Sequence, residues 1–187
     1  MPPRIFSLAN QTFDVPAAGG LQFGWAELPN DIGVQIAFQQ QFLEFFRFLY
    51  SNLQSVPEQN PNLAPMQLSL SLRAGALKTY VLAAVSIMEG AIAEMAADRQ
   101  LGAREVLHRY PFGRLLGVLG DSAPVRQEFD PIWGRLQLLK QYRNFVHLGN
   151  AAQNPQAYWQ DVLNNEAALL EACDTVIQWL SAKCNGL

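Results

Sequence analysis

Hydrophobic positions along this chain recur mostly at helical spacing. Asp31 can cap a helix, and Ile36, Phe38, Phe42, Phe45, Phe46 and Leu49 then make a broad apolar face, which predicts a helix to about Leu53. The most regular stretch follows a proline-bearing loop at residues 54–65. There Leu70, Ala74, Leu77, Val81, Ala84, Met88, Ile92 and Met95 recur at steps of three and four, one stripe of a long core helix. Small residues within it (Ala74, Gly75, Ala83, Ala84, Gly90 and Ala91) predict that another helix packs close. A third helix is expected from about Ile132 to Leu148, stopped by Gly149 and Asn150. A last one should run from the Asn154–Pro155 start signal to about Lys183, carrying Tyr158, Val162, Leu169, Ala172, Val176, Trp179 and Leu180.

Two segments break this pattern. Residues 99–124 hold Gly102, Pro111, Gly113, Gly117, Gly120 and Pro124, so short helices and turns are expected there. Residues 1–30 are rich in Pro and Gly, with β-leaning runs at Arg4–Leu8 and Leu21–Trp25, which predicts a small hairpin or an arm. The expected organisation is an N-terminal arm over 1–30 and one all-α bundle of four to five helices over 31–187. Trp133, Trp159 and Trp179 sit at helical spacing with other apolar residues and are expected in the core.

Composition narrows the possibilities. Half of the 187 residues are hydrophobic and 16% are charged, which excludes a disordered chain and supplies one sizeable core. No run of eighteen apolar residues is present, so no membrane span is expected. Met1 to Ser7 lack an apolar run with a small-residue cleavage pattern, so no signal peptide is expected. Cys173 and Cys184 are eleven apart in one predicted helix, separated by roughly 16 Å, and cannot pair with each other. Two lone thiols fit a reducing, cytoplasmic setting. His108 and His147 are the two histidines; neither belongs to a zinc motif, and no phosphate-binding glycine loop or nucleophile elbow is present. No metal and no cofactor are expected.

One segment carries chemistry. In Leu139-Lys140-Gln141-Tyr142-Arg143-Asn144-Phe145-Val146-His147-Leu148-Gly149, Arg143 and His147 are four apart and share a helix face. Ile132, Leu136, Leu139, Tyr142 and Val146 centre an apolar stripe, and Arg143 falls about 40° from that centre. An inward-leaning guanidinium must find an acid of the fold, a second chain or an anion. Glu89, on the long apolar helix, is the acid in reach. His147 stands beside the helix C-terminus, whose dipole favours the imidazolium. His108, in Leu-His-Arg-Tyr-Pro, is expected to be a solvated turn histidine.

At these residues the chain resembles the HEPN superfamily (higher eukaryotes and prokaryotes nucleotide-binding). Leu-Lys-Gln-Tyr-Arg-Asn-Phe-Val-His-Leu is similar to the family's late-helix motif, and residues 85–93, Val-Ser-Ile-Met-Glu-Gly-Ala-Ile-Ala, to its second core helix, with Glu89 where an acid often stands. The resemblance covers about residues 70–183. The family motif spaces Arg and His by four to six residues, against three here, and Gly149 stands where members paired with nucleotidyltransferase antitoxins carry Tyr. The resemblance implies an all-α bundle that dimerises so that two motifs face each other, and a metal-independent ribonuclease of toxin–antitoxin, antiviral or RNA-processing type. It also implies roles. Arg143 would bind the scissile phosphate, His147 would transfer protons during attack by the neighbouring 2′-OH, and Asn144 would orient the motif. RNA as substrate and a cognate antitoxin or partner protein come with it. A non-catalytic helical module, in which Arg143 and His147 serve an interface, is the alternative.

Net charge then changes the picture. The chain carries −3 overall, which argues against a broadly basic protein. Residues 99–143, however, hold eight basic side chains against four acids, and the segments on either side are both acidic. Arg109, Arg114, Arg135 and Lys140 in that block are therefore candidate phosphate or RNA contacts beside Arg143.

Overall fold

The computed structural model describes residues 5–8, 11–14, 16–55, 70–144 and 155–185. It is almost wholly helical. An antiparallel pair, β1 (Ile5–Leu8) and β2 (Gln11–Asp14), aligns Ile5 with Asp14 and Leu8 with Gln11. Phe13 stacks on Phe48 with ring centroids 5.1 Å apart, and this contact docks β2 on the next long helix. The second β-leaning run is not a strand. Leu21 and Gln22 end a short helix, α1 (Ala18–Gln22), and Phe23–Trp25 form a 3-10 turn. Trp25 explains the difference: it is 1% exposed and its indole N–H donates to Gln40 Oε1 at 3.0 Å. A side chain that must reach the core, with its N–H held by a half-buried acceptor, outweighs a modest strand preference.

Two long helices follow, α2 (Asn30–Ser55) and α3 (Leu70–Asp98). The boundaries predicted for both are met within a few residues. Ala74, Leu77, Ala84, Met88 and Ile92 of the α3 stripe are each 0% exposed, so α3 is the axis of the bundle. Gly90 faces Ile36 of α2, where a Cβ would meet Ile36 Cδ1 at 3.6 Å, an ordinary packing contact. Leu72–Asp98 is long and apolar enough to cross a membrane by length and composition, yet most of it is buried within the bundle. That is the mark of a central core helix.

Helix α3 ends in a tight turn. Leu101 N–H bonds to Ala96 O at 3.0 Å and Gln100 N–H to Ala97 O at 2.9 Å, the paired bonds of a Schellman stop. Gln100 takes the left-handed position with φ 57°, which costs a side-chain-bearing residue about 1 kcal/mol. The broken segment then holds α4 (Arg104–Leu107), α5 (Phe112–Asp121) and α6 (Ala123–Glu128), as its glycines and prolines foretold.

Helix α7 (Asp130–Asn144) carries the motif, and Ile132, Leu136, Leu139 and Tyr142 are buried as expected. Its predicted end, with Phe145 to Asn150, lies outside the described residues. The last predicted helix is two, α8 (Pro155–Asn164) and α9 (Glu166–Lys183). The break falls at Asn165, whose φ of −102° and ψ of 9° depart from the helix while its backbone N–H and its side-chain amide both donate to Asp161 O, at 3.3 and 2.9 Å. Cys173 and Cys184 are both free and buried, and burial pushes the Cys184 thiol up to about 11.

One ion pair clamps the turn after α3 to α6. Arg99 donates from Nε to Glu128 Oε2 (2.9 Å) and from Nη2 to Oε1 (2.7 Å). Burial raises the Glu128 carboxyl, but the hydrogen bonds and charge of Arg99, with Lys183 behind, outweigh it and hold Glu128 below the usual carboxylate value. A depressed carboxylate contributes stability above its unfolded pKa and loses it as pH falls through the folded one. Wild type should therefore exceed Arg99→Met by about 1 kcal/mol at neutral pH. Urea denaturation at stepped pH should show that gap closing below about pH 4; a gap constant to pH 3 would refute the assignment.

Candidate functional site

Glu89 of α3 organises the predicted site. Helix α5 begins after Pro111, which offers no side-chain cap, so its first amide needs an acceptor from elsewhere. Glu89 Oε1 accepts it, with Phe112 N–H donating at 2.7 Å. The same oxygen lies 2.9 Å from Arg143 Nη2 on α7. One carboxylate oxygen thus draws together a helix N-terminus and a guanidinium, the two groups that also hold phosphate oxygens. The expectation that Glu89 is the acid in reach of Arg143 is met. Arg143 is not sealed by the pairing: its side chain is 31% exposed and its other donors face no partner among the described residues.

Lys140, one turn earlier on α7, lies across Gly113. A Cβ at Gly113 would stand 3.2 Å from Lys140 Cε, so the bare glycine is what lets the lysine stem lie over the first turn of α5. Arg114, in the same turn, stacks its guanidinium 3.9 Å from the centroid of Tyr110. Arg109 is exposed, and its side chain makes no hydrogen bond or ion pair among the described residues. Arg143, Lys140 and Arg114 therefore gather at the start of α5, with Arg109 three residues before it. Arg135 does not join them. It is engaged by Glu171 of α9, with Nη2 to Oε1 at 2.7 Å and Nε to the same oxygen at 3.0 Å. That contact raises Arg135 and lowers Glu171 from their ordinary values, chiefly through the shared hydrogen bonds.

Tyr142 ties the motif helix to α8, its hydroxyl donating to Asp161 Oδ2 at 3.1 Å. Burial, then this carboxylate, pushes the phenol up to about 12. The side chain of Asn144 and all of His147 lie outside the described residues.

His108 lies in a turn and is exposed, as expected, but it also has a partner that the sequence did not show. It is a paired histidine, 28% exposed at the side chain, sharing a hydrogen bond between Nε2 and Glu94 Oε1. Glu94 is 0% exposed, the one fully buried charged side chain among the described residues. Its Oε2 lies 3.0 Å from Arg104 Nε, close enough for Coulomb attraction but off the line of a hydrogen bond. The signal was there: Glu94 is a lone acid inside Ala-Ile-Ala-Glu-Met-Ala-Ala, where an unpaired carboxylate would be too costly to bury.

A second polar cluster was not anticipated. Arg47 of α2 donates from Nη1 to Tyr80 Oη (3.0 Å) and to Asp174 Oδ1 (2.7 Å), and the Tyr80 hydroxyl donates to the same Asp174 oxygen at 3.2 Å. Its trace in sequence is Arg47 alone among Phe45, Phe46, Phe48 and Tyr50. Among the described residues no group of three or more His, Cys, Asp and Glu side chains is placed to hold a metal ion. Comparison with protein-family models, curated proteins and solved structures returns no match.

Proposed function

We propose that this protein is a HEPN-like ribonuclease, cutting RNA without metal through Arg143 and His147. The observation that carries the reading is the convergence of Arg143 and the Phe112 amide on one Glu89 oxygen, with Lys140 and Arg114 alongside. It is an arrangement made to hold an oxyanion, built around the motif arginine. In the reaction, Arg143 binds the scissile phosphate and His147 takes the proton of the 2′-OH. The new 2′-O–P bond forms as the P–O5′ bond breaks, and the departing 5′ oxygen receives a proton, leaving a 2′,3′-cyclic phosphate and a 5′-OH. Asn144 orients the motif, Glu89 positions Arg143, and a homodimer brings two such sites face to face. A cognate antitoxin or other partner protein would regulate it, in the cytoplasm.

The test is cleavage of a labelled RNA by purified protein in excess chelator. Cyclic-phosphate ends support the reading, and intact RNA refutes it. The basic cluster gives a second check. Lys140→Ala and Arg114→Ala should each weaken RNA binding and flatten the salt dependence by about 0.7 in slope, as one lost phosphate contact does on a single strand. Arg135→Ala should leave both unchanged, because Glu171 already engages that guanidinium. A catalytically inactive interaction module remains the second reading, favoured by Phe38 and Phe42, one turn apart on α2 and 54% and 47% exposed. Such a module binds a partner or a second copy and leaves RNA uncut.

A further inference from the structure

Helix α2 carries two apolar faces. Ile36, Leu43 and Tyr50 recur at steps of seven and line the side buried in the core. Phe38, Phe42, Phe45 and Leu49 recur at steps of four, three and four, about 130° around the helix from that line. Steps of three and four in alternation are the spacing of a seam between two paired helices, here roughly 17 Å long. One end of the seam is in use. Phe13 of the hairpin sets its ring 5.9 Å from that of Phe45 and 5.1 Å from that of Phe48. At the other end Phe42 stacks on Phe46 of its own helix, and Phe38 and Phe42 stay 54% and 47% exposed.

Charge avoids this side of the helix. Between Ile32 and Tyr50 the charged residues are Glu44 and Arg47, and both stand about 130° or more from the seam. The open flank of the two exposed rings is formed by Gln35 and Gln39, both exposed. A charged partner finds no counter-charge on such a face. A second copy of the same face meets no repulsion there, and a glutamine amide both donates and accepts, so the rim can pair with itself.

We propose that α2 is a self-association surface: the α2 helices of two copies pack together across a two-fold axis, and each covers Phe38 and Phe42 of the other. The contact is isologous, the same patch on both chains, as a closed dimer requires. It is separate from a pairing of the Arg143 motifs, because α7 packs chiefly on α3, α5, α6 and α9. It also stands whether or not the protein cuts RNA. A single seam of this length covers less than the ~800 Å² per partner of a standard interface, so the association is reversible. In dilute protein the copies part and both rings meet water.

Sedimentation velocity of the full chain at rising concentration tests this. Mass should double with a dissociation constant on the order of 10 µM. Phe38→Gln combined with Phe42→Gln should weaken that step about 30-fold or more. Its helical circular dichroism should match wild type, because both rings lie outside the core. Val106→Gln changes an apolar residue of α4 that is 44% exposed, and should leave the association as it was. A chain that stays monomeric throughout would assign the face to a different partner and overturn the proposal. Undiminished association in the double variant would overturn it too. So would an equal loss in Val106→Gln, the sign of unspecific apolar adhesion.

Discussion

A Phe112→Ala chain is expected to unfold about 3–5 kcal/mol more readily than wild type. The ring is 0% exposed and belongs to the same core cluster as Leu115, Leu116 and Leu119 of its own helix. Truncation removes the transfer free energy of a buried aromatic and leaves a cavity that close-packed neighbours fill only in part. The loss is large against the 5–15 kcal/mol typical of a domain. Urea denaturation followed by circular dichroism measures it, with Phe38→Ala, whose ring is 54% exposed, as the matched control. The control should move by less than about 1 kcal/mol, since most of its surface already meets water. A Phe112→Ala cost no larger than the control's would contradict the packing described.

The second large effect concerns His147. In the proposed mechanism His147 is the general acid–base group, whose removal costs about 10²- to 10⁴-fold in rate, so on that proposal His147→Ala should slow RNA cleavage by that factor, about 2.7–5.4 kcal/mol in the barrier. Arg143→Ala should also lose cleavage, but through weakened RNA binding as well as slower turnover, because its proposed partner is the phosphate itself. The two variants separate the roles. His147→Ala should retain wild-type RNA affinity and salt dependence, whereas Arg143→Ala should lose about 0.7 in salt slope. Unchanged cleavage in His147→Ala would remove the histidine from the mechanism even if the protein proves to be a nuclease.

Much of the helical framework was legible in the spacing of apolar residues. The stripe from Leu70 to Met95 is so regular that only a buried helix satisfies it, and the structure puts that helix at the centre. The Arg143–Glu89 pair was legible for a different reason. A guanidinium leaning into an apolar stripe requires a counter-charge, and Glu89 lay on the neighbouring helix. What escaped were features decided by tertiary contacts. Leu21 and Gln22 joined a helix because Trp25 had to reach Gln40, and the break at Asn165 turns on the backbone of one residue inside a continuous apolar pattern. The turn position of His108 was legible but its partner was not, because Glu94 is fourteen residues away and a turn histidine gives no local sign of a buried acid beneath it. The Arg47, Tyr80 and Asp174 network joins three helices across up to 127 positions of sequence, and no periodicity reports such a meeting.

Glu89 and Glu94 have a joint consequence. Five residues apart, they point about 140° from each other around α3. One fastens the start of α5 and the arm of Arg143, and the other fastens Arg104 and His108. The helix is thereby indexed in rotation as well as in depth. A single residue inserted between them would swing one carboxylate by about 100° relative to the other, and no one setting of the helix could then serve both. Residues 90–93 therefore form a ruler of fixed length, and variants that lengthen or shorten it should be far less tolerated than conservative substitutions within it.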